Sequence, residues 1–179
     1  KGSNVHDYCR MLTDGCKFKY VPKNEIIEAS DEPLKIIRSQ EEYLALYRFW
    51  QWMKAVNPVV KAAEMTVFSM AEHAAGTMDY LLEIPGGDYM IAGAKPIHLE
   101  SGIYLADLKS GNSVDDDAFL QVGAYASFFE EMFKDTEGFQ EIKGTLIIHT
   151  GASTKKGIEG LTTLVRTRDE MLIDYQDFQ

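Results

Sequence analysis

The chain has 179 residues, 28 of them acidic and 18 basic, with a net charge of −10 and an apolar share of 45%. That length holds one domain with a core of its own, and the charge argues against a protein that coats DNA non-specifically. It leaves open an enzyme that gathers carboxylates around a divalent ion, because the ion carries positive charge to a phosphate.

Residues 2–12 are helix-compatible, and His6 and Arg10 share a face there at i, i+4. Asp14-Gly15 ends the stretch. Cys9 and Cys16 are too few for a disulfide framework, a four-thiolate zinc site or an iron–sulfur cluster. Free thiols in a reducing, cytoplasmic setting are expected. Residues 17–33 show no period and are expected to be loop with a short strand or a turn of helix. Ser39-Gln40-Glu41-Glu42 is a capping-box pattern. Behind it Tyr43, Leu46, Tyr47, Trp50, Met53 and Val56 recur at helical spacing until Asn57-Pro58 stops the helix. That stripe is expected in the core rather than on a base-stacking surface.

The pattern changes to strands from Ala63, with residues 64–68 alternating and residues 76–84 forming a second strand closed by Pro85-Gly86-Gly87. Residues 88–101 are expected as an added hairpin or loop. Residues 103–109 form the most apolar strand, with Asp107 and Lys109 as its only charges. The three strands are expected to make an antiparallel meander. Asp115-Asp116-Asp117 suits a solvated helix N-terminus. A helix is expected to about residue 134, with Gln121 and Tyr125 on one face. Strands over 145–149 and 161–166 flank a turn carrying Lys155 and Lys156, read as solvated charges, and an amphipathic helix over 168–178 follows. No apolar run is long enough to span a bilayer. The order predicts an α/β domain with a mixed sheet flanked by helices.

Asp107 and Lys109 leave the same face of their strand, because side chains alternate. A lone acid and base so placed can be a structural ion pair. Asp79 lies on the preceding strand of the meander, where it can come beside Asp107. Two neighbouring carboxylates repel unless a proton or a cation sits between them, and hard divalent ions accept such oxygens while keeping several waters. Lys109 beside them can hold a water or offset charge on a phosphate. His73, His98 and His149 fit no ligand spacing and are read as structural or exposed.

Four stretches in order resemble the PD-(D/E)XK nuclease superfamily, in particular its RecB-like exonuclease branch. They are Gly2-Ser3-Asn4-Val5-His6, Gly76-Thr77-Met78-Asp79, Asp107-Leu108-Lys109 and Gln121-Val122-Gly123-Ala124-Tyr125, and Glu64 falls where relatives often carry a glutamate. The resemblance implies a restriction-endonuclease-like mixed sheet and a metal-dependent deoxyribonuclease. Asp79, Asp107, the Leu108 carbonyl and His6 would hold Mg²⁺ or Mn²⁺, and imidazole suits Mn²⁺ better. Lys109 would position the attacking water, Glu64 would reach the metal or its water, and Gln121 and Tyr125 would orient the site and contact the DNA backbone. An exonuclease on single-stranded or free DNA ends in recombination, repair or phage DNA processing is expected. A structure-specific endonuclease and a non-catalytic nucleic-acid-binding module are the alternatives. The implied protein partners are a second copy of the chain or a recombination protein. The chain is either a stand-alone nuclease or a fragment of something larger. The segment 88–101 departs from the pattern by lengthening the hairpin before the key strand.

Overall fold

The computed structural model describes residues 2–151 and 160–179. Lys155 and Lys156 lie outside the described residues. The chain opens with helix α1 (Gly2–Thr13), then β1 (Lys17–Tyr20) and β2 (Leu34–Ile37), which pair in parallel as a small separate sheet. β2 is a departure from expectation. Its four residues, Leu-Lys-Ile-Ile, are too few to show a period, and the parallel partner lies across a long polar connection.

Helix α2 (Gln40–Val56) starts and stops as its sequence dictates. The Ser39 hydroxyl accepts from the Glu42 backbone N–H at 3.3 Å, satisfying one orphan donor of the first turn. Asn57 closes the far end in the left-handed region at φ 50°, its N–H donating to the Met53 carbonyl at 2.8 Å. Its aromatic stripe divides. Leu46, Phe49, Trp52 and Val56 are buried, whereas Tyr47 and Trp50 are exposed. The expected core stripe is corrected here, because the buried face centres on Phe49 and Trp52 and leaves Tyr47 and Trp50 to one side.

The main sheet has five strands in the order β3 (Val59–Ser69), β4 (Ala74–Ile84), β7 (Gly102–Lys109), β8 (Ile142–His149), β9 (Thr162–Thr167). β3, β4 and β7 are antiparallel neighbours, as the meander predicts. β3 begins at Val59 rather than near Ala63; Lys61, Ala62 and Ala63 hide the strand pattern, since alanine and lysine are poor strand formers. The hairpin β5 (Gly87–Tyr89) and β6 (Ile97–Leu99) occupies the segment between β4 and β7. Helix α3 (Asp116–Phe133) then crosses over, so β8 joins β7 in parallel, and β9 returns antiparallel. Helix α4 (Arg168–Phe178) ends the chain behind a Thr167–Glu170 capping box.

Helices cover both faces of the sheet. α1 and α2 pack through Val5, Cys9, Phe49 and Trp52 against Tyr80, Leu82, Ala106 and Leu108. α3 and α4 pack through Val122, Phe128 and Met171 against Leu81, Leu105 and Ile147. The chain is thus mixed α/β, a five-stranded mixed sheet flanked by helices. Among the described residues no helix is long and apolar enough to cross a membrane.

Candidate active site

The register of the sheet builds the site. β4 and β7 pair as far as Tyr80↔Ala106, and one further antiparallel step sets Asp79 opposite Asp107. The ladder stops at that step. The Leu108 N–H instead donates to the Asp79 carboxylate at 2.8 Å, so a side chain takes the place of a backbone acceptor where the two strands fork. On the other side, Ala63↔Tyr80 and Met65↔Met78 bracket Glu64 and Asp79. Glu64, Asp79 and Asp107 therefore occupy one row across three adjacent strands.

The backbone is distorted at this row. Glu64 has φ 52°, a left-handed conformation that costs a residue with a side chain roughly 1–2 kcal/mol. The alternation of faces slips there too. Tyr80 and Leu82 pack toward α1 and α2, while Met78 and Leu81 both pack in the opposite core. Strict alternation would put Met78 with Tyr80. The slip frees Asp79 to turn toward α1. Strain of this kind collects at functional sites.

α1 lays two basic side chains on the row. His6 Nδ1 is 3.4 Å from Asp79 Oδ1, and Arg10 Nε is 3.3 Å from Glu64 Oε2. Lys109 Nζ is 3.0 Å from Asp107 Oδ2, as the strand alternation predicts. That oxygen is buried, and despite the short ion-pair distance it has no aligned hydrogen-bond donor among the described residues. Lys109 offsets part of its charge without satisfying its lone pairs.

The two central carboxyls titrate in opposite directions. Burial pushes Asp107 up to about 6, the charge of Asp79 adds to the rise, and Lys109 offsets only part of it. Burial also pushes Asp79 upward, but hydrogen bonding and charge from His6, with the Leu108 N–H, hold it below its ordinary value. The Asp79 hydrogen bond raises the His6 imidazole above its ordinary value against the opposing pull of burial. Asp107 therefore keeps its proton to higher pH than Asp79 does, the splitting expected of two acids crowded together.

A divalent cation would relieve that crowding. The buried, unaligned Asp107 oxygen next to a second carboxylate is an oxygen pair of the kind Mg²⁺ uses, since that ion takes one or two carboxylates and leaves its other positions to water and substrate. The pair fits. A larger cage is not assembled: among the described residues no three His, Cys, Asp or Glu side chains are arranged to hold a metal ion. His6 and Glu64 face Asp79 and Arg10 respectively. Cys9 is buried and Cys16 exposed, both as free thiols.

Gln121 and Tyr125 meet each other, the Gln121 Nε2 donating to the Tyr125 hydroxyl at 3.0 Å. No described hydrogen bond or ion pair joins them to Asp79, Asp107 or Lys109. Their link to the site is packing. A Cβ on Gly76 would run into the Tyr125 ring, so the glycine three residues before Asp79 is what lets that tyrosine lie on β4. Asp115 is the N-cap of α3, with Asp116 and Asp117 in its first turn. His149 is buried and bonded through Nε2 to the Gly111 carbonyl at 2.7 Å, a structural role. Arg10 is the functional-site residue that the sequence pattern left unassigned; its i, i+4 relation to His6 was the available signal.

The fold and the site together define an α/β protein with a carboxylate row, a histidine and a lysine at a fork between sheet strands. Compared with protein-family models and with curated proteins, the chain matches none.

Proposed function

We propose that this chain is a metal-dependent deoxyribonuclease of the PD-(D/E)XK type, RecB-like branch, that hydrolyses phosphodiester bonds at single-stranded or free DNA ends. The observation that carries the reading is the crowded Asp79–Asp107 pair at the strand fork with Lys109 3.0 Å from Asp107. The strand order, with a parallel β8 reached through α3, supports a restriction-endonuclease-like core. Asp79 and Asp107 would hold Mg²⁺ or Mn²⁺; the Leu108 carbonyl would be a further donor, and His6 would join if it turned from Asp79 to the ion. When bound, such an ion offsets charge on the phosphate and acidifies water. Lys109 orients the attacking water and meets charge that develops on the phosphate. Glu64 holds Arg10 and keeps a third carboxylate at the row. Gln121 and Tyr125 brace β4 and touch the DNA backbone. A cytoplasmic enzyme of recombination, repair or phage DNA processing is the setting we infer.

The test is incubation of 5′- and 3′-labelled single- and double-stranded DNA with Mg²⁺ or Mn²⁺, alongside circular single-stranded DNA. Cleavage of linear DNA that spares the circle, and that is lost in Asp107→Ala and Lys109→Met, is expected. Cleavage of the circle would assign an endonuclease. Cleavage unchanged in both variants would remove the site from the chemistry.

A further inference from the structure

A large cleft lies apart from the carboxylate row, with no described lining residue in common with it. It has a volume of about 920 Å³ and runs between α2, the end of α1 and the β1–β2 sheet. Cavities of roughly 300–1,000 Å³ accommodate organic ligands. Leu12, Phe18 and Leu46 give it an apolar floor. One wall is the side of α2 that the core leaves out. There Tyr47 and Trp50, 45% and 39% exposed, stack on one another with centroids 5.7 Å apart and planes at 25°. A folded core has no need of an exposed, pre-stacked aromatic pair, and large aromatics left on a surface mark interaction sites.

The charge of the cleft is opposite to that of the chain. The net charge is −10, yet the described residues lining the cleft include Lys17 and Lys54 and no carboxylate. Lys54 Nζ sits 4.8 Å over the Trp50 ring, so a cation stands directly at the aromatic pair. Lys17 also meets Glu32 at 2.9 Å, but both side chains are more than 60% exposed, and an ion pair so open to water holds its partners weakly. Flat rings beside cations fit a ligand that alternates flat rings with anions. An unpaired nucleic-acid strand has that chemistry, with bases for the rings and phosphates for the lysines.

Helix α1 runs from the site to the cleft. His6 and Arg10 face the carboxylate row, while Leu12 and Thr13 line the cleft on the same helix. Seven residues of helix separate His6 from Thr13, about 10 Å at 1.5 Å per residue. That is the length of about three stacked nucleotides.

We propose that this cleft binds unpaired nucleotides of the substrate strand, with bases stacking on Tyr47 and on the Trp50 face that Lys54 vacates as it and Lys17 turn to the phosphates. The proposal rests on the nuclease reading for its substrate, and it adds a single-strand subsite at a place the catalytic motifs do not reach.

The experiment reads binding apart from cleavage. The chain has two tryptophans. Trp52 is fully buried, so Trp50 is the one a ligand in the cleft can quench. Intrinsic fluorescence is titrated with a ten-nucleotide oligothymidine and with a blunt ten-base-pair duplex, in EDTA and low salt. Fluorescence anisotropy of the labelled oligonucleotides is followed in parallel. The expected result is saturable quenching by the single strand and much less by the duplex. Tyr47→Ala or Trp50→Ala should weaken single-strand binding about five- to a hundredfold, and Trp50→Phe should keep binding while losing the quench. Thermal melting checks that these variants are folded. Single-strand binding by anisotropy that leaves Trp50 unquenched, or that survives Tyr47→Ala and Trp50→Ala unchanged, overturns the proposal. So does displacement of a cleft-bound apolar dye by an amphipathic peptide but not by oligothymidine. If the quench is as expected and no metal supports cleavage, the subsite stands and the nuclease reading falls. If cleavage occurs and both aromatic variants bind like the parent, the reverse holds.

Discussion

Replacing Asp107 with Asn should make the metal-free protein more stable at pH 8 while destroying cleavage. The reason is the balance of charges at the fork. In the folded chain the Asp107 carboxyl is raised from its ordinary 3.8 to about 6, burial and Asp79 outweighing Lys109. A rise of that size corresponds to about 3 kcal/mol. The folded state therefore holds the Asp107 proton more tightly than the unfolded state does. The stability so gained is complete below the unfolded value near 3.8 and is lost as pH rises through about 6. Asp79, held low, contributes in the opposite sense, with stability that is lost on acidification. Asn matches protonated Asp in shape and never acquires the charge. Urea denaturation in EDTA, from pH 4 to pH 8, measures the difference between variant and parent. That difference should grow by about 2–3 kcal/mol across the window, part of the full shift being lost already by pH 4. Added Mn²⁺ should then stabilise the parent and not the variant. A difference that stays flat from pH 4 to pH 8, or a variant less stable than the parent at pH 8 in EDTA, would refute the claim that the carboxylates are crowded.

Three other changes test separate parts of the structure. Gly76→Ala drives a Cβ into the Tyr125 ring and should cost about 1–3 kcal/mol in urea denaturation; combining it with Tyr125→Ala should recover part of that loss, a coupling that two independent sites would lack. Trp52→Phe removes the bond from the buried indole Nε1 to the Thr163 hydroxyl at 2.9 Å, and denaturation should register a loss of about 1 kcal/mol beyond that of the ring change. His6→Ala takes away the main group holding the Asp79 carboxyl low and leaves burial to govern it. The acid limb of the cleavage pH profile should then move to higher pH; an unmoved limb would separate His6 from the ionisation that matters.

Much of this was legible before any coordinates. Asp107 and Lys109 are two apart on an apolar strand, so their common face followed from alternation alone. Ser39 and Glu42 marked the start of α2; the Thr167–Glu170 box that starts α4 offered the same local signal and went unread. Such signals are short-range and survive without knowledge of the fold. The meander placed Asp79 beside Asp107, and the resemblance added Glu64, but their alignment in one row was not legible, because it depends on the register of three strands and on where one ladder stops. Nor was the left-handed backbone at Glu64, a residue with no intrinsic preference for it. β2 escaped because its partner β1 is distant in sequence and their pairing is parallel. Tyr47 and Trp50 escaped because helical spacing identifies a stripe but does not fix its centre, and the buried face turned on Phe49 and Trp52.

The placement of α1 has a consequence for how the protein senses its own site. The helix is anchored to the sheet partly by apolar contact through Val5 and Cys9 and partly by His6 on Asp79 and Arg10 on Glu64. A cation bound by Asp79 would compete with the imidazole for the same oxygen, or recruit it. Either way the N-terminal helix feels the exchange directly, with no intervening loop or relay. Its seating against the sheet would then depend on what the carboxylates hold, and the same helix reaches the edge of the aromatic cleft through Leu12 and Thr13.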